Sequence, residues 1–183
     1  MAPGMILRDE PSTGLAGSVS PQDGRKPRPA HAEESLSKVE MASRSTLYTT
    51  EILRLAASLE APHPLQREDG RAELRSPTCG SRIATSVQLD DEGGVAAISQ
   101  QVHACAFGQA SAALLERDAI GRNAADVAAE LKTFGDWLDQ CEAEPSWPGL
   151  AALAPARSRK SRHGAILLPF RALLAAIEAV CRE

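Results

Sequence analysis

Aromatic residues are scarce in this chain, where Phe, Trp and Tyr together make up 3% of the 183 residues. So few rings cannot build a base-stacking platform or an aromatic-lined pocket. The formal net charge is −4, which argues against a general nucleic-acid binder. Uninterrupted apolar runs long enough to cross a bilayer are also lacking, so the sequence predicts no membrane partner.

The first forty residues lack apolar periodicity and are rich in Pro, Gly, Ser and charged residues. Such a segment cannot bury enough apolar surface to offset its conformational entropy. We therefore predict a disordered tail over residues 1–44 and one folded domain over residues 45–183. The tail has neither the apolar core of a signal peptide nor the acid-poor composition of a transit peptide, so a cytoplasmic protein is expected. Met41 is an alternative start.

Cysteine is sparse as well, with four residues in the chain. In a reducing compartment these are expected to be free thiols or metal ligands rather than disulfides. Cys141 and Cys181 lie at the ends of predicted helices, far along the chain from any partner motif. They are interpreted as surface or packing thiols, which leaves Cys79 and Cys105 as the informative pair.

The pattern of apolar residues predicts a helix, three strands and then further helices. An amphipathic helix precedes a short edge strand, and two alternating strands over residues 81–89 and 95–103 flank the turn signal DDEGG. A small-residue helix follows Cys105, and Asn123 begins another. Pro169 fits the last helix only if that helix starts late or bends. This order predicts an α+β two-layer sandwich, a three-stranded antiparallel sheet covered by helices.

The predicted hairpin brings the two informative cysteines together. If residues 90–94 form its loop, Leu89 lies opposite Val95. The same register, continued outward, sets Cys79 opposite Cys105 with their β-carbons roughly 5 Å apart. A slip of one residue would turn the two side chains to opposite faces of the sheet.

Two opposed thiols suit a metal or sulfur site, a disulfide, or plain packing as small apolar side chains. Cys105 is predicted at the start of a helix, where the dipole and free N–H groups favour the thiolate that binds metal or accepts sulfur. The same register places His103 opposite Ser81, beside the thiols. The spacing alone leaves these alternatives open.

At these residues the chain resembles a known family. SPTCGSRI is similar to the Cys-Gly-Asp motif of the U-type iron–sulfur cluster assembly scaffolds (NifU N-terminal, IscU and SufU). ACAFGQASAAL resembles their Gly-Cys-small-Ser-Ala helix start, and RHGAILLPFRAL their last motif, in which a cysteine begins a helix. The similarity covers residues 47–180. It implies the sandwich fold, an iron–sulfur cluster as transient cargo, and a cysteine desulfurase and apo iron–sulfur proteins as partners.

Two of the family's ligands are replaced in this sequence. Ser81 stands where the family has an aspartate, and Gly164 stands at the third cysteine, or Ala165 if the alignment moves by one. His163 matches a histidine that precedes this cysteine in some members, and imidazole can bind iron or zinc. The candidate metal ligands are therefore Cys79, Cys105, His163, His103 and Ser81.

The function expected from this resemblance is a scaffold that holds a cluster on two cysteines and passes it to apo-proteins. It is not an enzyme, because no nucleophile–base–orienter set is evident. Two alternatives stay open: a zinc-bound persulfide acceptor for a cysteine desulfurase, and a degenerate scaffold that acts only as an interaction module. A basic run is expected to be solvated, or else to dock an acidic partner or lower a thiol pKa. It comprises Arg157, Arg159, Lys160 and Arg162.

Overall fold

The structure, a computed structural model, describes residues 48–77, 79–141 and 143–180. The predicted tail of residues 1–44 and the thiol of Cys181 lie outside the described residues. In chain order the elements are α1 (Thr50–Ala57), β1 (Gly70–Arg75), β2 (Arg82–Leu89), β3 (Val95–His103), α2 (Ala106–Asp118), α3 (Ala124–Leu138), a 3₁₀ helix (Leu150–Ala156) and α4 (Lys160–Val180).

The three strands form one antiparallel sheet in the order β1-β2-β3. Alternation along β2 turns Ile83 and Val87 into the core, where both are fully buried. Helix α4 packs on β1 and β2, and α2 packs on β3 and α4. Asn123 caps α3 in a reciprocal capping box with Asp126. The prediction of an α+β sandwich with a three-stranded antiparallel sheet is confirmed.

The register of the β2–β3 hairpin changes near its turn. Leu89 pairs with Val95 as predicted, but Gln88 pairs with Ala97, so that Ala96 is an extra residue in β3. This is a β-bulge, which shifts every later pair by one residue. DDEGG indicates the turn without revealing the bulge.

Beyond the bulge, Arg82 rather than Ser81 pairs with His103. The predicted opposition of Ser81 and His103 is therefore wrong, and the strand register cannot be continued to the cysteines. Neither cysteine lies in a strand: Cys79 is in the β1–β2 turn, and Cys105 is the N-cap of α2. Their positions depend on that turn and on the start of α2.

Helix α4 is the central helix of the fold. It is long and apolar enough to cross a membrane by length and composition, but 61% of its apolar window is buried inside the described fold. Phe170 packs edge-on against Phe134 and Trp147, with ring centroids 5.5 and 5.2 Å away. The helix therefore serves as the core against which sheet and helices pack.

Small residues let α2 approach α4 closely. Pro169 lies inside α4 rather than before it, so the late start is excluded, and its ring leaves the carbonyl of Ala165 without a helical donor. A β-carbon at Gly108 would lie 3.1 Å from that carbonyl oxygen. One turn later, Ser111 Oγ donates to the carbonyl of Ile166 at 2.7 Å. The start of α2 is thus held close to the start of α4.

Candidate metal-binding site

The turn between β1 and β2 holds Cys79 between two serine hydroxyls. The N–H of Ser76 donates to the carbonyl of Ser81 at 2.8 Å, and that of Gly80 donates to the carbonyl of Ser76 at 3.0 Å. Gly80 has a φ of +69°, which glycine adopts without strain. Within this turn, Cys79 Sγ lies 3.2 Å from Ser76 Oγ and 3.1 Å from Ser81 Oγ. Both serines are buried, and the thiol is half-buried.

These surroundings act on the pKa of Cys79 in opposite directions. Burial, the largest single influence, raises the pKa. Hydrogen bonds with the Ser76 and Ser81 hydroxyls and the Ser81 N–H, together with the positive charge of Arg162, lower it, and the resulting pKa is below its ordinary value. The thiolate, which is the form that binds metals, is therefore favoured at Cys79.

Cys105 presents its thiol from the start of α2. Its backbone is extended, and its side chain makes no capping hydrogen bond, so the helix does not use the thiol. Burial is the main cause of the raised pKa of Tyr48, and the charge of Cys105 and a hydrogen bond with its thiol also raise it, against an opposing effect of Arg162. The Tyr48 ring packs 5.0 Å from that of Phe107. Cys105 is thus half-buried beside a phenol hydroxyl.

The start of α4 lies near the surroundings of each thiol. The charge of Arg162 acts on Cys79 and also on Tyr48, the hydrogen-bond partner of Cys105. Two residues later, a β-carbon at Gly164 would lie 2.9 Å from Ser76 Oγ. Residue 164, where the resemblance places a third cysteine, therefore borders the turn of Cys79.

No group of three or more His, Cys, Asp or Glu side chains is arranged to hold a metal ion within the described ranges. A metal at this site would need donors besides the two thiolates. The donor set fits an iron–sulfur cluster in kind, since thiolates are its usual protein ligands, but falls short in number.

His163 is buried with both ring nitrogens directed at other groups. Nε2 lies 3.1 Å from the carbonyl oxygen of Ala156, and Nδ1 lies 3.4 Å from Oδ1 of Asp139. The ring thus joins the start of α4 to the 3₁₀ helix and to the C-cap of α3. Binding a metal would break one of these contacts, so the ligand role of His163 stays a prediction that the geometry does not favour.

His103 lies on the outer face of the sheet rather than opposite Ser81. His103 pairs with Arg82 in the sheet, and Arg82 Nη1 lies 3.8 Å from Glu73 Oε1. These side chains lie on the sheet face opposite the core residue Ile83. His103 is exposed on that outer face. The one-residue shift at the bulge is the physical reason why it does not project beside the thiols.

The basic run divides into three parts. Arg157 donates from Nε to the carbonyl of Trp137 at 2.8 Å and from Nη2 to the carbonyl of Cys141 at 3.0 Å, and its guanidinium lies over the Trp137 ring. It therefore closes the end of α3. Arg159 and Lys160 are exposed, whereas Arg162 is half-buried near the cysteines. The thiol of Cys141 is exposed.

Sequence reasoning missed two residues of this site, Ser76 and Tyr48. Ser76 stands three residues before Cys79 and directly before a proline, a spacing from which a turn with a side-chain contact could have been predicted. Tyr48 fits the apolar face of the first predicted helix, and its hydroxyl carries no local signal in the sequence. Its contact with Cys105 depends on how α1 packs against α2.

No family model and no curated protein matches the sequence. Solved structures do match. The N-terminal part of a nitrogen-fixing NifU-like protein from Brucella abortus superposes with a TM-score of 0.68 at 28% identity, covering 76% of this chain and 97% of that one. A putative iron–sulfur cluster assembly scaffold protein for the SUF system from Fervidobacterium islandicum superposes with a TM-score of 0.63 at 17% identity, covering 73% and 98%. The second likeness shows the fold alone.

Both relatives are covered over nearly their whole length, so the likeness extends to the complete domain. The chain thus has the fold of these structures, which supports its resemblance to the U-type iron–sulfur cluster assembly scaffolds.

Proposed function

We propose that this protein receives iron and sulfide, holds an iron–sulfur cluster as transient cargo on Cys79 and Cys105, and passes it to apo-proteins. The observation that carries the proposal is the placement of two half-buried thiols around the start of α4, in a domain with the scaffold fold.

The chain's contribution is to supply and orient thiolates. The closed turn fixes Cys79, and its two serine hydroxyls and Arg162 stabilise negative charge on the sulfur. Cys105 stands at a helix N-terminus, where unsatisfied N–H groups favour anions. The iron and sulfide carry the chemistry of the cargo.

A small number of thiolates suits transfer. A firmly held cluster commonly has four cysteine ligands, and this site offers two. Half-burial shields the cargo in part and leaves one side open to a recipient. We expect the bound cluster to be labile, as a carrier requires.

The proposed partners are a cysteine desulfurase, which supplies the sulfur, and apo iron–sulfur proteins, which receive the cluster in the cytoplasm. Arg159 and Lys160 are exposed beside the site and provide positive charge for an acidic partner surface. No step in this cycle requires a catalytic side chain of the protein, so the proposed role is that of a carrier rather than an enzyme.

Anaerobic reconstitution tests this function. Purified protein is incubated with ferrous iron, cysteine, a desulfurase and excess dithiothreitol, which reduces the persulfide sulfur of the desulfurase to sulfide. Iron and acid-labile sulfide per chain are measured, and transfer to an apo-ferredoxin is then followed. Wild type should bind iron and sulfide in equal amounts and show visible charge-transfer absorption. C79S and C105S should each abolish both, and C141S should retain them because that thiol is exposed elsewhere.

Two results would contradict the proposal. Zinc without sulfide would support the persulfide acceptor. Absence of any metal, combined with desulfurase binding that survives loss of both cysteines, would support the interaction module.

A further inference from the structure

We propose that the Ser76 hydroxyl supplies a third protein ligand of the cargo site, in the space that a side chain at residue 164 would otherwise occupy. This inference rests on the proposed function, in which Cys79 and Cys105 hold the cargo.

A side chain at residue 164 would displace the Ser76 hydroxyl from its present position. A β-carbon added to Gly164 would lie 2.9 Å from Ser76 Oγ, closer than real β-carbons approach another atom. The same β-carbon would lie 4.0 Å from Ser76 Cβ, which is ordinary van der Waals contact. The conflict is therefore with the hydroxyl oxygen alone. In this chain the oxygen takes the space, and glycine at 164 leaves it free.

The oxygen that fills this space is directed at the proposed ligand. Ser76 Oγ lies 3.2 Å from Cys79 Sγ, and Ser76 is 5% exposed. Its main-chain N–H donates to the carbonyl of Ser81, and its carbonyl accepts from the N–H of Gly80. The hydroxyl is thus oriented at the thiol before any cargo arrives, which reduces the ordering cost of binding.

A serine oxygen can complete the donor set without a redox step. Its lone pair coordinates iron, and the hydroxyl proton leaves to solvent, as deprotonation of ligands on metal binding requires. Oxygen is a harder donor than thiolate, and soft thiolates are the preferred ligands of iron–sulfur clusters. A site with two sulfurs and one oxygen therefore holds its cargo more loosely than a site with three thiolates, in keeping with a carrier.

Substitutions at Ser76 test this role in the reconstituted protein. S76A should speed release of iron to a chelator on the order of tenfold. S76C should slow that release and shift the charge-transfer absorption to longer wavelength, because a thiolate replaces the oxygen. S58C, a thiol at the exposed C-cap of α1, should do neither.

Ser81 provides the matched control for hydrogen bonding. Its hydroxyl lies 3.1 Å from Cys79 Sγ, about as close as that of Ser76, but no contact with residue 164 involves it. S81A should therefore change the release rate less than S76A. Equal changes in the two variants would overturn the inference, since hydrogen bonding to the thiol would then account for both.

An exchange of positions gives an independent readout. G164C alone should lower the melting temperature of the metal-free protein, because its β-carbon meets the Ser76 oxygen. The double variant S76A/G164C should recover the melting temperature and hold the cluster at least as long as wild type. Failure of the double variant to recover either property would contradict the shared space.

The proposed function and the ligand role of Ser76 are contradicted by different results. If wild type binds no iron and sulfide, the proposed function is wrong and the ligand assignment falls with it. If wild type binds them and S76A and S76C release iron at the wild-type rate, only the role of Ser76 is wrong.

Discussion

The sequence places Arg157 in a basic run that is expected to be solvated, but in the fold its side chain contacts the end of α3. Its two hydrogen bonds end on the carbonyl of Trp137, in the last turn of α3, and on the carbonyl of Cys141 just beyond that helix, and its guanidinium lies 4.9 Å from the centre of the Trp137 ring. Arg159, two residues later, is exposed and is hydrogen-bonded through its main chain, where its N–H donates to the carbonyl of Ala156 and its carbonyl accepts from the N–H of Arg162. The two arginines belong to the same basic run of the sequence, but they are expected to contribute differently to the stability of the fold.

We expect R157A to lower the free energy of unfolding by about 1–2 kcal/mol, because two charge-assisted hydrogen bonds and a ring contact are lost. R159A should leave it within about 0.5 kcal/mol of wild type. Urea denaturation of both variants checks this pair. A larger loss for R159A than for R157A would show that the run acts differently from this description.

The sequence predicts a candidate ligand only where that residue lies in a local motif. Cys79 and Cys105 stand in recognisable turn and helix-start patterns, so the sequence predicts them as candidate ligands. Ser76 and Gly164 were not connected, because their contact joins the end of β1 to the first turns of α4. That contact is set by tertiary packing, which local pattern does not encode.

Between elements, the contact of α2 with α4 depends on Gly108. A β-carbon there would lie 2.7 Å from Ala104 Cβ and 3.1 Å from the carbonyl oxygen of Ala165, both inside the packed fold. G108A should therefore push the helices apart and lower the free energy of unfolding by about 1–3 kcal/mol. Thermal melting of the variant gives the comparison.

Gly135 in α3 is the control for that substitution. A β-carbon at this position would meet only Leu167 Cδ1, at 3.9 Å. G135A should raise the free energy of unfolding by about 0.5–1 kcal/mol, since alanine favours a helix interior over glycine. If both variants shifted stability in the same direction, helix propensity rather than close packing would decide the outcome at Gly108.

Glu116, near the C-terminal end of α2, makes the stability of the fold depend on pH. Burial, followed by the charge of Glu60, raises the pKa of Glu116 to about 7, against the opposing effects of His63 and the Glu60 N–H. The folded state therefore binds a proton that the unfolded state has already lost. The stability contribution of this group falls as pH rises from about 4.5 to about 7, and it is constant above that range.

We expect E116Q to be more stable than wild type at pH 8 and nearly equal to it at pH 4, because the buried charge is removed. Chemical denaturation at the two pH values measures the difference. A stability gain that is the same at both pH values would mean that the substitution acts through packing instead of through ionisation.

The hairpin shows what pattern reasoning supplies about elements and what it omits. Alternation and the DDEGG turn were sufficient to place β2 and β3 and the loop between them. The bulge at Ala96 was not visible, because an extra residue in one strand leaves the alternation on either side nearly intact. That one residue changed the predicted neighbour of His103.

Over the whole molecule, three stretches that are distant along the chain carry the candidate site. They are the β1–β2 turn with Cys79, Cys105 at the start of α2, and the first residues of α4, which border that turn at Gly164 and approach α2 at Gly108. The fold class followed from the order of amphipathic segments, since each must bury one face. The site followed only in part, because its donors come from a turn and two helix starts whose contacts depend on the assembled core.

A single measurement addresses the claim that Cys79 and Cys105 form one site. Metal-free protein is treated anaerobically with a short bifunctional thiol reagent, digested, and analysed by mass spectrometry for linked peptides. The account predicts a link between Cys79 and Cys105 within one chain, blocked by prior loading with iron and sulfide, with Cys141 linked to neither. Linkage of Cys141 to either thiol, with no product that joins Cys79 to Cys105, would contradict it.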